Sequence, residues 1–189
     1  MSNAKLGDIA NPMLLTQLFK MVHAMNPVDW LCENAPGFNG LSEEERVAIM
    51  HFSLLWSFFE AKALNTNAST NSILTLVHKW ADEGRLNIVP FAQSLAYFRN
   101  RYFIHGAPTE HFLGLNLRRN DIPDLVSAVL RGENNDPAEC VAVLLIVVFR
   151  LRNNLFHGVK WAYGIRGQLS NFTNANAVLM AALDIQGHV

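Results

Sequence analysis

The stretch DPAECVAVLLIVVFRLRNNLFHG, Asp136 to Gly158, reads as one long helix. Asp136 is a good N-cap, Pro137 suits the first helical position, and Glu139 sits where an acid can reach back to the helix start. From Cys140 to Phe149 there is no charged or strongly polar residue. A helix apolar on every side must be enclosed by protein or lipid, and this run is too short to span a bilayer. A central helix buried in an all-α bundle is the expectation. Arg150, Arg152, Asn153, Asn154 and His157 then arrive within two turns, before Gly158 offers a stop. In helical period, Leu144, Val148, Leu151 and Leu155 share one stripe, while Asn153 and His157 are i, i+4 neighbours on another face with Arg152 to one side. Polar chemistry at the tip of a rigid rod is a sensible place for a site. The competing reading is that Arg152 and His157 merely meet the negative end of the helix dipole.

Working outward, the other segments are also helical in pattern, with no alternating strand of useful length. Asn11-Pro12 opens a helix carrying Leu14, Leu15, Leu18, Phe19 and Val22, and Asn26-Pro27 ends it. The stretch to Gly40 is expected to be a loop that tucks Trp30 and Phe38 onto the core. Ser42-Glu43-Glu44-Glu45 is a capping box starting a helix to about Leu64, apolar on so many sides that it should be a second central element packed on Val141–Phe149. Glu60 stands out there as an acid among aromatics and alanines, near a helix C-terminus that disfavours it. It either faces solvent, pairs with an arginine, or supports Arg152 or His157. Asn71 or Ser72 is expected to cap the next helix through Trp80. Pro90 begins a helix ending at Gly106 whose tip, Arg99-Asn100-Arg101-Tyr102-Phe103-Ile104-His105-Gly106, echoes the tip of the central helix. Pro123 begins a short helix to Leu130, and Leu169, Phe172, Leu179 and Leu183 mark a C-terminal amphipathic one.

Length and composition fit one domain spanning residues 1–189, with 1–10 a flexible N-terminus in which Ser2-Asn3-Ala4 looks like a cloning scar. Half the residues are hydrophobic and 16% are charged, which excludes a disordered chain. Cys32 and Cys140 form no metal-ligand spacing and no disulfide framework, no signal peptide is visible, and a reducing cytoplasm fits. No metal, cofactor or membrane contact is expected: P-loop, dinucleotide-binding, HExxH and serine-elbow signatures are missing from the sequence. The net charge of −1 argues against a generic nucleic-acid-coating protein, yet residues 1–84 carry −4 and residues 85–166 carry +4. The excess is almost all arginine, around Arg99, Arg101, Arg118, Arg119, Arg150 and Arg152, and arginine suits bidentate phosphate contact. A solvated basic face is the plainer account.

The string Arg152-Asn153-Asn154-Leu155-Phe156-His157, with Gly158 behind it and a long apolar helix ahead, resembles the signature of the HEPN superfamily. These are all-α domains marked by an arginine, a polar residue, a few further positions and a histidine. The resemblance implies a HEPN-like bundle, commonly dimeric. It also implies a metal-independent endoribonuclease of the kind found in toxin–antitoxin, defence and RNA-processing systems. Others in the superfamily are inactive or bind nucleotides. The alternative here is accordingly a catalytically silent dimer that serves as a nucleotide- or protein-binding regulatory module.

RNA cleavage without a metal uses the substrate's 2′-OH as nucleophile. It needs a base, a cation on the developing phosphorane, and an acid for the leaving oxygen. His157 suits the proton work and Arg152 the electrostatic work. Asn153 could hold the imidazole or a phosphate oxygen, with Asn154 and Glu60 in support. One histidine and one arginine are a thin outfit, so a homodimer that brings two copies together around one phosphate becomes part of the mechanism. Arg99, Arg101, Tyr102 and Arg150 are expected to line the RNA path by charge and stacking. Arg101 and His105, as i, i+4 neighbours, are either a second motif or a supporting basic element. An antitoxin or another regulatory protein is the further partner implied.

Overall fold

The structure is a computed structural model, and it describes residues 26–157 and 165–187. The chain divides into two compact units, Met1–Gly40 and Leu41–Val189. In the first, the described part is a helix, α1 (Pro27–Asn34), and a 3₁₀ turn at Phe38–Gly40. A loop was expected over this stretch, and the reason for the difference is local. Asn26 caps a helix, its Oδ1 accepting the Val28 N–H at 3.0 Å, and Pro27 occupies the first turn, where no N–H is needed. Trp30 is half exposed rather than tucked away. The helix expected over residues 11–25 and residues 158–164 lie outside the described residues.

The second unit is all-α apart from one two-residue hairpin among the described residues. Its helices are α2 (Glu43–Ala63), α3 (Thr70–Asp82), α4 (Ala92–Tyr102), α5 (Glu110–Leu113), α6 (Pro123–Arg131), α7 (Pro137–Phe156) and α8 (Leu169–Gln186). Helix α7 is the buried rod. Asp136 caps it by accepting the Glu139 N–H at 2.9 Å, Pro137 stands in the first turn, and every residue from Cys140 to Val148 is buried. Helices α3, α6, α8 and α4 pack around it. Leu145 has no exposed surface, so Leu145→Ala should destabilise the protein by about 2–5 kcal/mol through lost burial and the cavity left behind. A urea titration reads this directly, and a change under about 0.5 kcal/mol would mean that α7 is not the core.

Helix α2 starts as its sequence demands. Ser42 Oγ accepts the Glu45 N–H at 3.2 Å, and Glu45 Oε2 accepts the Ser42 N–H at 3.0 Å. Its main companion differs from the expected one. Ala48, Phe52, Trp56 and Phe59 form the buried face, and α2 runs along α8, with Phe52 and Phe172 ring centroids 5.1 Å apart and Asn176 Nδ2 donating to Ala48 O at 3.1 Å. It meets α7 through side chains near its C-terminal end, where Trp56 stacks on Phe149 at 5.8 Å. The opposite stripe, Met50, Leu54 and Phe58, is more than half exposed. Only one face of this widely apolar helix is therefore core.

Helix α3 begins two or three residues earlier than expected. Ser69 and Ser72 cap each other reciprocally, and Thr70 is already helical. Helix α4 stops at Tyr102 rather than Gly106. Phe103–Ile104 and Ala107–Pro108 pair antiparallel, and the turn residues His105 and Gly106 both have positive φ, 51° and 79°. That is the backbone of a type I′ hairpin, which glycine adopts freely and histidine tolerates better than most residues. Thr109 locks the exit: its N–H donates to Tyr102 O at 2.9 Å and its hydroxyl to Arg101 O at 2.8 Å. No helix among the described residues is long and apolar enough to cross a membrane.

Candidate active site

Two i, i+4 pairs, one on each helix, build the site where α2 meets the end of α7. On α2, Trp56 Nε1–H donates to Glu60 Oε2 at 2.7 Å. On α7, the Arg152 guanidinium carbon lies 5.4 Å from the Phe156 ring centroid and 5.8 Å from that of Trp56, both within cation–π range. Arg152 Nη2 is 3.6 Å from Glu60 Oε2, and Arg152 Nη1 donates to Asn153 Oδ1 at 3.0 Å. Side-chain exposures of 29% for Arg152 and 20% for Glu60 put this ion pair at the edge of the core, less screened than a surface pair. A guanidinium has five N–H groups. Arg152 Nε is buried without a partner among the described residues, and donors remain on both terminal nitrogens.

His157 is the C-cap of α7 and is exposed. Its backbone N–H donates to Asn153 O at 2.9 Å, so the helical bond ladder fixes the residue while its imidazole faces out. Glu60 does not simply face solvent but pairs with an arginine, Arg152, and Asn153 bonds Arg152 rather than the imidazole. Five residues separate Arg152 from His157, which turns them to different sides of the helix. They share its end, not a face.

The other expected site residues scatter, and most turn inward. Arg150 was expected to touch RNA; it is 3% exposed, with Nε and Nη2 donating to Leu115 O at 3.2 Å and Asn116 O at 2.7 Å and Nη1 3.6 Å from Asp121 Oδ2. Burial pulls its guanidinium below the usual range while Asp121 pulls it back up. Asn154 is buried and donates to Gly114 O at 3.0 Å, a fastening for the same loop. Tyr102 cannot stack on a base: it is 1% exposed, lies parallel to Phe98 at 5.7 Å, and burial pushes its phenol well above the usual range. Arg99 reaches Val129 O, Asn134 O and Asn135 Oδ1 and so ties down the loop before α7. Its contact with Cys140 Sγ places it twelve residues before Arg152, roughly 18 Å away along the helix axis. Burial raises the Cys140 thiol, although Arg99 opposes the shift.

Arg101 lines an open hollow of about 560 Å³ with Tyr97, Asn100, Ile104, Thr109, Glu110 and His111, and Arg152 is not among its lining residues. His105, expected one turn along the same helix face, is in the hairpin turn instead, so the echo of the central motif is one of letters and not of geometry. Sequence reasoning missed Trp56 and Phe156. Their signal was present as spacing: Trp56 precedes Glu60 by four, and Phe156 follows Arg152 by four. No group of three or more histidine, cysteine or acidic side chains that could hold a metal gathers among the described residues. The fold and this cluster define an all-α protein with an arginine-centred polar and aromatic cluster at a helix end. No family model, curated protein or solved structure matches the chain.

Proposed function

We propose that this protein is a metal-independent, HEPN-type endoribonuclease that acts as a homodimer in a cytoplasmic toxin–antitoxin or defence setting. The observation that carries the reading is the state of Arg152. It is held by Glu60, Asn153 and two aromatic rings, keeps donors on both terminal nitrogens, and lies a little over one turn before an exposed histidine. A preorganised cation of this kind stabilises charge on a phosphorane without reorganising at the moment of reaction. The substrate's 2′-oxygen attacks phosphorus as His157 takes its proton, the P–O5′ bond breaks, and the leaving oxygen receives a proton from the second copy's histidine. The products end in a 2′,3′-cyclic phosphate and a 5′-hydroxyl.

The deciding experiment is incubation of purified protein with total RNA in EDTA, followed by mapping of the termini. Cyclic phosphate ends are the expected result, and intact RNA would remove the reading. The composite site adds a prediction on assembly. Light scattering should find a dimer, and a variant made monomeric by a charge in the interface should lose cleavage with it. Cleavage retained by a proven monomer would overturn the shared site.

One observation favours the silent regulatory module. Glu60 already pairs with Arg152, and Arg150 and Arg99 serve the interior, which thins the basic face. RNA or nucleotide binding without cleavage, under the same conditions, is what that reading expects.

A further inference from the structure

We infer that Trp56 is the positioning residue of this site, acting on Arg152 through Glu60; the inference rests on Arg152 being the phosphate-binding group proposed above. Trp56 makes three separate contacts that meet at Arg152. Its ring stacks on Phe149, with centroids 5.8 Å apart and planes 27° from parallel, which pins it to the buried rod three residues before Arg152. Its indole N–H holds Glu60 Oε2 at 2.7 Å, the same oxygen that faces Arg152 Nη2 at 3.6 Å. Its ring face lies 5.8 Å from the guanidinium carbon.

The chemistry explains why the indole is needed. A glutamate near a helix C-terminus sits against the dipole and has rotamers to choose from. The 3.6 Å gap to Nη2 is an ion pair rather than a hydrogen bond, so it does not fix the carboxylate by itself. The indole N–H is the short bond that does, and it leaves Glu60 Oε1 clear of it. The Phe156 ring centroid also lies near the guanidinium carbon, at 5.4 Å. Arg152 thus has two rings within cation–π range and a polar partner at each terminal nitrogen, Asn153 at Nη1 and Glu60 at Nη2. Each terminal nitrogen keeps a further N–H donor, and a phosphate is the acceptor that arginine meets better than lysine.

The test separates direction from structure. Trp56→Phe keeps a ring on Phe149 and beside Arg152 but removes the N–H; Glu60→Gln keeps the shape but removes the charge. Three quantities are measured for each: turnover on RNA, affinity for RNA carrying deoxyribose at the cut position, and the Arg152 side-chain N–H signal by NMR, with thermal unfolding followed alongside. Turnover should fall roughly 10- to 100-fold in both, the scale of a small misplacement of a reacting group. Affinity should hold in Trp56→Phe and hold or tighten in Glu60→Gln, because a negative charge beside the phosphate has gone. The protected Arg152 signal should broaden or vanish in both. Full turnover with an unchanged Arg152 signal in both variants would overturn the inference, and so would affinity, turnover and folding falling in step. If wild-type protein cuts no RNA, the functional reading fails alone: the NMR signal still decides whether Trp56 and Glu60 hold Arg152.

Discussion

His157→Ala and Arg152→Ala should each lower RNA cleavage by roughly 10²–10⁴-fold, the range for loss of a general base or a preorganised charge, and leave helix content and the dimer intact. The structure makes the pair an unusually clean experiment. His157 is exposed and held by backbone bonds, so its truncation removes an imidazole and little packing. Arg152 is partly buried and leaves Glu60 behind without its cation, so its truncation should also cost some stability, which Arg152→Lys would restore without restoring the bidentate contact. A substrate with deoxyribose at the cut position should resist wild-type protein, since it lacks the nucleophile. His105→Ala is the contrast. His105 occupies a hairpin turn, and its loss should leave turnover in place. Cleavage that survives His157→Ala and disappears in His105→Ala would mean the wrong tip had been chosen.

What could be read from sequence divides along a physical line. The capping box at Ser42, the Asp136-Pro137 start and the unbroken apolar run after it are local signals, and each produced its element within a turn of the expected boundary. Glu60 was legible as an anomaly for the same reason: an acid placed against a helix dipole needs a partner. What the sequence withheld was direction. Arg150 and Arg152 are two positions apart, about 200° around a helix, so one enters the core towards Asp121 and the other meets Glu60. Charge counted along the chain cannot tell these apart. Arg99 and Tyr102 were misjudged for the same reason, because Val129 O, which Arg99 reaches, and Phe112, against which Tyr102 packs, lie on other segments. The hairpin after Tyr102 escaped because two-residue strands are too short to show alternation. Asn26-Pro27 was read as an ending, although an asparagine cap followed by proline is equally the chemistry of a beginning.

The inward turn of Arg150 yields the largest expected effect on stability. Asp121 is 4% exposed, and its two oxygens serve three donors: the Thr70 hydroxyl at 2.8 Å, the Arg118 N–H at 2.7 Å and, at 3.6 Å, Arg150 Nη1. The carboxylate therefore joins the start of α3, the 3₁₀ turn at Arg119–Asp121 and the buried rod, and it is the one acid paired with Arg150 among the described residues. Asp121→Asn keeps the shape and an acceptor but strands a buried guanidinium. Removing one member of such a pair should destabilise by about 3–5 kcal/mol, far more than an exposed ion pair is worth. Asp121→Asn with Arg150→Met should recover part of that loss, because the stranded charge is gone and an apolar side chain fills much of its volume, although Asn116 O loses this donor and Leu115 O keeps only Asn154. Urea midpoints of the two single variants and the double variant close the cycle. A loss under about 1 kcal/mol in Asp121→Asn would mean that water reaches Arg150, and would return that arginine to the candidates for binding RNA.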